Sequence, residues 1–151
     1  MLLDFCAAYR LLEDYGQLKP GDAVIFNDGG SAIGQILIQM CQILKLGAIA
    51  VVTEAQARDE KLEMMLKDLG ADCVYVDRGS TLQQQMQSQR AMHARPKLAL
   101  DCIGGQSALR LADTLQVFTQ HYHRHYRKTH VHTRAHMYIY HIFGGRLRSS
   151  F

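Results

Sequence analysis

Several things are missing from this chain of 151 residues. No stretch is long and apolar enough to span a bilayer, which excludes a membrane helix as its organising element. The four cysteines, Cys6, Cys41, Cys73 and Cys102, lie far apart with no CxxC pair. That argues against a structural zinc site and against a disulfide framework. Buried reduced thiols, in a reducing compartment, are the reading that fits. Met1 leads into Leu2-Leu3-Asp4-Phe5 with neither an Arg/Ser-rich amphipathic leader nor a signal-peptide layout, so no targeting segment is visible. Acidic side chains stop before Gln116: beyond it the charged groups are six Arg and Lys, joined by seven of the eight histidines. The formal charge of +3 therefore belongs to the tail, and residues 1–115 are slightly acidic. Any whole-chain argument for nucleic acid would come from that tail alone.

The richest stretch is Pro20 to Glu54. Pro20-Gly21-Asp22 precedes an apolar run, Ala23-Val24-Ile25-Phe26, and then Asn27-Asp28-Gly29-Gly30-Ser31-Ala32-Ile33-Gly34. An apolar-striped segment to Leu46 follows, then Ile49-Ala50-Val51-Val52 closing on Thr53-Glu54. Strand, glycine-rich turn, helix, strand and acid is the order of the first half of a dinucleotide-binding fold. Glycines keep the turn tight and let backbone approach a pyrophosphate, and the helix N-terminus offers that anion unpaired N–H groups. The acid is placed to hold ribose hydroxyls. The fingerprint is incomplete, because Ser31 and Ala32 stand where a glycine pair is expected before Gly34. An α/β domain that uses the turn only for packing is the competing reading.

At this length there is room for one domain. Residues 2–16 predict a helix with apolar Leu3, Cys6, Ala7, Tyr9, Leu11 and Leu12. Strand one is Ala23–Asn27. A helix from Ala32 to Leu46 places Ile33, Ile36, Leu37, Met40, Ile43 and Leu44 on one stripe, and Gly47 is expected to close it. Strand two is Ile49–Thr53. A helix from Ala57 to Leu69 buries Leu62, Met65, Leu66 and Leu69 and ends on Gly70. Strand three is Cys73–Val76, a polar helix covers Thr81–Gln89, strand four is Leu98–Ile103, and a helix runs from Gln106 to Leu115. Short, continuously apolar strands between helices call for a parallel sheet covered on both faces. The expected fold is α/β, a partial doubly wound, Rossmann-like parallel sheet truncated after about four strands, since a complete dinucleotide fold has six.

Five separated pieces agree in order and spacing with one family: Cys6-Ala7-Ala8-Tyr9-Arg10-Leu11-Leu12, Leu18-Lys19-Pro20-Gly21-Asp22, Asn27 through Gly34, Leu69-Gly70-Ala71-Asp72, and Leu98-Ala99-Leu100-Asp101-Cys102-Ile103-Gly104-Gly105. Over about residues 3–115 the chain resembles the cofactor domain of medium-chain reductases/dehydrogenases. Ala8-Tyr9-Arg10, Asn27 and Ser31 make it most similar to the zinc-free trans-2-enoyl thioester reductases of mitochondrial fatty acid synthesis. The resemblance implies hydride transfer from a reduced nicotinamide to Cβ of an α,β-unsaturated acyl thioester, a mitochondrial location and a homodimer. No membrane or nucleic-acid partner is expected. By the same resemblance Gly30, Ser31, Ala32, Ile33 and Gly34 line the pyrophosphate, Thr53 and Glu54 face the adenosine ribose, and Asp4 lies near the nicotinamide side. The Gly104-Gly105 turn borders the crevice.

Those reductases carry an arginine at the position of Thr53, for the 2′-phosphate of NADPH. A neutral residue followed by Glu54 suits a diol instead, with Arg58 as a substitute cation or simply a solvated one. The residues favour NADH and the family favours NADPH; both stay open. The family's proton-donating tyrosine belongs to an N-terminal catalytic domain that this sequence does not contain. Tyr9 is read as a packed helix tyrosine, and no catalytic residue is assigned.

The tail departs from the family. His121, His123 and His125 alternate, which invites a metal reading, but no Cys, Asp or Glu stands nearby to complete a site. The Arg/Lys/His/Tyr mixture invites a nucleic-acid reading, but no module presents those groups. From Thr129 to Tyr140, Thr, Val, Thr, Ala, Met and Ile alternate strictly with His, His, Arg, His, Tyr and Tyr. The first set is encodable by purine–pyrimidine–purine codons and the second by the inverse, so an unbroken alternating purine–pyrimidine repeat is able to encode all twelve residues. A frameshift, a pseudogene or readthrough is the favoured explanation, against an amphipathic strand.

The expected organisation is a connecting helix in 1–18, a partial dinucleotide-binding domain in 19–115 and a disordered, non-family tail in 116–151. The leading function is an NAD(P)H-dependent oxidoreductase acting on enoyl thioesters, with the 151-residue chain inactive by itself. The alternatives are a non-catalytic nucleotide-binding or interaction protein, and a quinone reductase-like enzyme.

Overall fold

The computed structural model describes residues 2–15, 17–79, 81–88, 96–115 and 139–141. Helix α1 (Leu2–Asp14) leads into β1 (Ala23–Phe26), α2 (Ala32–Ile43), β2 (Gly47–Thr53), a 3-10 turn (Gln56–Arg58), α3 (Leu62–Asp68) and β3 (Cys73–Asp77). Then come α4 (Thr81–Ser88), β4 (Pro96–Asp101), α5 (Gly105–Leu115) and a short β5 (Ile139–His141). The sheet order is β3-β2-β1-β4-β5 and every pairing is parallel.

Alternation along the strands splits the core in two. Val24, Phe26, Ala48, Ala50, Val52, Leu98 and Leu100 face Leu11 and Leu12 of α1, Leu37 and Ile38 of α2 and Leu66 of α3. Ile25, Ile49, Val51, Tyr75 and Ala99 face Leu82 of α4 and Leu111 of α5. Helices on both faces make β1 apolar at all four positions, as a doubly wound sheet requires. The two halves of the sheet diverge from β1, so the order reverses between β1 and β4. That is the switch point outside which such folds bind ligands.

Several expectations are corrected in detail. Helix α2 ends at Ile43, and the left-handed residue that stops it is Lys45 (φ +58°), not Gly47. Gly47 opens β2, where an added Cβ would lie 3.2 Å from that of Ala23. Its stripe shifts by one residue: Ile38 and Cys41 are buried, while Ile43 is 75% exposed. The helix expected over 57–69 breaks into the 3-10 turn and the seven-residue α3, and Met65 is 39% exposed. Gly70 (φ +110°) does follow α3, as foreseen. Tyr9 is 45% exposed rather than packed, and Cys6 is exposed while the other three thiols are buried.

Strand β4 opens at Pro96, which has no N–H to donate, and its register against β1 slips between Ala23 and Val24. The slip passes over exposed Lys97, whose Nζ reaches the Asp22 carboxylate at 2.9 Å and the Gln17 carbonyl at 3.1 Å. Nor is β4 left as a bare edge. Ala99, Leu100 and Asp101 pair with Ile139, Tyr140 and His141. The rest of the tail, with the proposed disorder, the first six tail histidines and most of the alternating segment, lies outside the described residues.

Candidate functional site

The carboxyl ends of β1, β2 and β4 converge on the glycine-rich turn. Asp28 takes a left-handed conformation (φ +56°), a region that Asp visits more easily than most residues. Gly29 donates its N–H to the Val51 carbonyl at 3.0 Å, and a Cβ there would lie 2.9 Å from that of Ala50. Gly34 is tighter still, since a Cβ would meet the Gly29 carbonyl oxygen at 2.6 Å. These two glycines are demanded by the close approach of turn, strand and helix. Packing therefore explains part of the motif without any ligand.

Ser31 caps α2. Its backbone is extended (φ −72°, ψ 166°) and its hydroxyl accepts the Gly34 N–H at 3.2 Å. The N–H groups of Ala32 and Ile33 have no carbonyl four residues back within the helix. They are the donors that, with the helix dipole, suit an anion at this end. The Gln35 amide ties the Gly30 carbonyl at 3.0 Å and steadies the turn. The residues present therefore fit a dinucleotide pyrophosphate.

Sequence reasoning missed Gln56. Its Oε1 accepts the Thr53 N–H at 3.1 Å, its Nε2 donates to Asp28 Oδ1 at 2.6 Å, and its own N–H donates to Thr53 Oγ1 at 3.2 Å. A Cβ on Gly30 would lie 3.0 Å from the same amide. Gly30, Ser31, Gly34 and Thr53 are thus brought together at one crevice. Ala32 is exposed and Ile33 half-buried on the first turn of α2. Glu54 is exposed just beyond Thr53, and Arg58 ends the 3-10 turn, also exposed. Asp4 stands on a separate element, in the first turn of α1.

A second cluster underlies the β1/β4 switch point. Asn27, 1% exposed, donates from Nδ2 to Asp101 Oδ1 at 2.6 Å and to Ser107 Oγ at 3.1 Å, and accepts the Cys102 N–H at 2.6 Å. Asp101, equally buried, also accepts the N–H groups of Ile103 and Gly104 at 3.2 and 3.0 Å. This shapes the Gly104-Gly105 turn, where φ is +85° and +59°. Ser107 donates to Asp77 Oδ2 at 2.7 Å, and Arg110 grips Asp77 through Nε at 2.6 Å and an NH2 nitrogen at 2.9 Å. Burial opposes ionisation of Asp77, but Arg110 and Ser107 prevail and hold its carboxyl below the ordinary range. The signal for this cluster was a polar residue closing each of three apolar runs. Cys102 sits beside it with its thiol pushed up to about 12 by burial and by Asp28 and Asp101, so it offers no thiolate near neutral pH. Among the described residues no group of three His, Cys, Asp or Glu side chains gathers as a metal site.

Parallel order, switch-point turn and capped helix define the class: a cofactor-domain segment of the medium-chain reductase/dehydrogenase type. Within that superfamily the chain resembles the mitochondrial enoyl thioester reductases. The mitochondrial enoyl-[acyl-carrier-protein] reductase of Caenorhabditis elegans is 43% identical over 110 residues, 72% of this chain and 29% of the relative. The human enzyme of that name is 40% identical over 106 residues, 70% of this chain and 28% of the relative. A solved mitochondrial 2-enoyl thioester reductase heterodimer from Candida tropicalis superposes with a TM-score of 0.65 at 30% identity, covering 74% of this chain and 32% of its own. A putative NADPH:quinone reductase from Bacillus thuringiensis gives 0.61 at 30% identity, with the same coverage. No family model matches the sequence. The chain spans less than a third of the length of the curated relatives it matches.

Proposed function

We propose that this chain is the cofactor-binding segment of an NAD(P)H-dependent oxidoreductase that reduces trans-2-enoyl thioesters. The observation that carries the reading is the Ser31-capped helix, opening on a glycine turn at the β1/β4 switch point, in a chain about 40% identical to mitochondrial enoyl-[acyl-carrier-protein] reductases. When bound, the reduced nicotinamide supplies the hydride that reduces the double bond. The chain's own residues bind and orient. Ala32 and Ile33 donate backbone N–H to the pyrophosphate, and Gly30, Ser31 and Gly34 shape the approach. Thr53 and Glu54 face the adenosine ribose, Gly104-Gly105 borders the crevice, and Asp4 lies toward the nicotinamide.

In this reading residues 1–18 form a connecting helix, 19–115 the dinucleotide unit and 116–151 a tail foreign to the family. The names of the relatives support a mitochondrial role in fatty acid synthesis, and the Candida heterodimer supports a dimeric assembly. A solved complex with NADP and crotonyl-CoA, superposing at a TM-score of 0.60 with 31% identity, supports the thioester substrate. The Bacillus thuringiensis neighbour keeps a quinone as the second candidate acceptor.

Binding and acceptor are tested separately. The 151-residue chain should quench or enhance reduced nicotinamide fluorescence on titration, and Ala32→Glu, which sets a carboxylate at the pyrophosphate, should weaken binding by about tenfold or more. A folded chain that leaves both signals unchanged sinks the nucleotide reading. For the acceptor, residues 3–115 replace the matching segment of the human relative. The chimera is expected to oxidise its cofactor with crotonyl-CoA and not with a benzoquinone; the reverse preference favours the quinone reading.

A further inference from the structure

Gln56 belongs to a short, solvent-facing 3-10 turn, yet its side chain is half-buried and makes both of its amide bonds inward. It is wedged between the tip of β2 and the glycine turn, holding the Thr53 N–H on one side and the Asp28 carboxylate on the other. Asp28 is itself an anomaly. It places an anion in a turn whose neighbouring N–H groups suit an anion, and it does so from a left-handed conformation. The 2.6 Å bond from Gln56 is charge-assisted and keeps that carboxylate turned toward β2.

Resting on the proposal that this crevice takes a nicotinamide dinucleotide, we infer that Gln56 is a specificity-determining residue and that the chain selects an unphosphorylated adenosine ribose. The wall between turn and strand is a neutral carboxamide backed by the Asp28 carboxylate and flanked by Glu54. A 2′-hydroxyl has an acceptor there in Gln56 Oε1 or in Glu54. A 2′-phosphate brings a further anion against the half-buried Asp28 carboxylate, where the medium screens less than water does, with Glu54 beside it in solvent. The nearby cations, Arg58 and Lys61, are both exposed; their backbone N–H groups donate to the Ala55 carbonyl and the Asp59 carboxylate, and their charges act through solvent that screens them. Glu54 is free in solvent and can turn away from a phosphate; Gln56 and Asp28 are locked to each other and to β2. The discrimination therefore lies in the locked pair.

The test titrates the 151-residue chain, labelled with 15N, against ADP-ribose and against its 2′-phosphorylated form, following the amide resonances of Gly30, Ser31 and Thr53. The chain is expected to bind ADP-ribose about tenfold more tightly. Gln56→Lys keeps a donor to Asp28 and adds a charge, and should bring the ratio to one or below. Gln56→Met keeps length and apolar bulk, releases Thr53 and Asp28, and should shift the free Thr53 amide while weakening ADP-ribose. Equal or tighter binding of the 2′-phosphate form by the unmodified chain, or the same ratio in Gln56→Lys, overturns the role of Gln56 and leaves nucleotide binding standing. A dispersed spectrum that neither ligand perturbs overturns nucleotide binding, and this inference with it.

Discussion

Asp77 illustrates how a single residue can be decided by its partners rather than by its exposure. Its side chain is 6% exposed, an environment that alone would favour the neutral acid, yet the two bonds from Arg110 and the one from Ser107 hold it ionised. A folded-state value below the ordinary one means that the unfolded chain binds the proton more readily. The stabilisation is thus complete above the ordinary carboxylate range and is lost as pH falls through the depressed value. Asp77→Asn should cost about 2 kcal/mol at neutral pH, the scale of bonds to a charged group, and nearly nothing once the wild-type carboxyl is protonated. Urea unfolding of both proteins from neutral pH down to acid checks this. A difference that stays constant across the range would show that packing, not charge, is what the substitution removes. That Asp77 pairs with Arg110 was not legible beforehand, since the two lie 33 positions apart. Apolar strand residues announce their burial by their run; a carboxylate that closes such a run marks a strand end without naming the partner that holds it.

Helix α2 shows how much of an element local chemistry fixes. Its start was legible, because the apolar stripe after the glycine-rich turn placed it at Ala32, where it begins; that the Ser31 hydroxyl caps it by accepting the Gly34 N–H was not read beforehand. Its end was not. Gly47 looked like the stop, but the chain turns at Lys45 and uses Gly47 to let β2 approach Ala23. Glycine at a helix end and glycine at a close contact are indistinguishable until the neighbour is known. The same limit explains Gln56: glutamine carries no periodic signal, and its importance comes from Asp28 across the turn. Replacing Ser31 by Ala should destabilise the protein by about 1 kcal/mol, the usual value of such a cap. It should also speed exchange of the Gly34 amide relative to that of Leu37. Thermal unfolding and amide exchange measure both, and an unchanged Gly34 rate would show that the cap bond is not holding the first turn.

For the whole molecule the strand–helix alternation told most of the architecture: a parallel sheet with both faces covered follows once every strand is apolar throughout. What alternation does not give is what lies against the edges. The outer edge of β3 is met by a side chain, since Gln85 accepts the Val76 N–H at 3.3 Å and donates to its carbonyl at 3.1 Å, as a neighbouring strand would. The other end is met by β5, three residues from a tail for which a strand was the less favoured reading. The two edges are thus guarded unequally around a centre where β1 has a strand on either side. Hydrogen exchange should reproduce that gradient. Amides of Val24, Ile25 and Phe26, with Ala50 and Val51 of β2 and Leu100 of β4, are expected to exchange slowest, opening only with global unfolding. Those of α3, short and solvent-facing at Met64 and Met65, should exchange faster by about two orders of magnitude, because local opening there exposes little buried surface. β5, joined through β4 alone, should lie between them. If Ile139–His141 amides exchange as fast as an unfolded peptide while β1 stays protected, the described fifth strand adds no protection and the cooperative unit is the four strands β3-β2-β1-β4. If β1 exchanges as fast as α3, the doubly wound core proposed to hold the cofactor is not a stable unit in this chain.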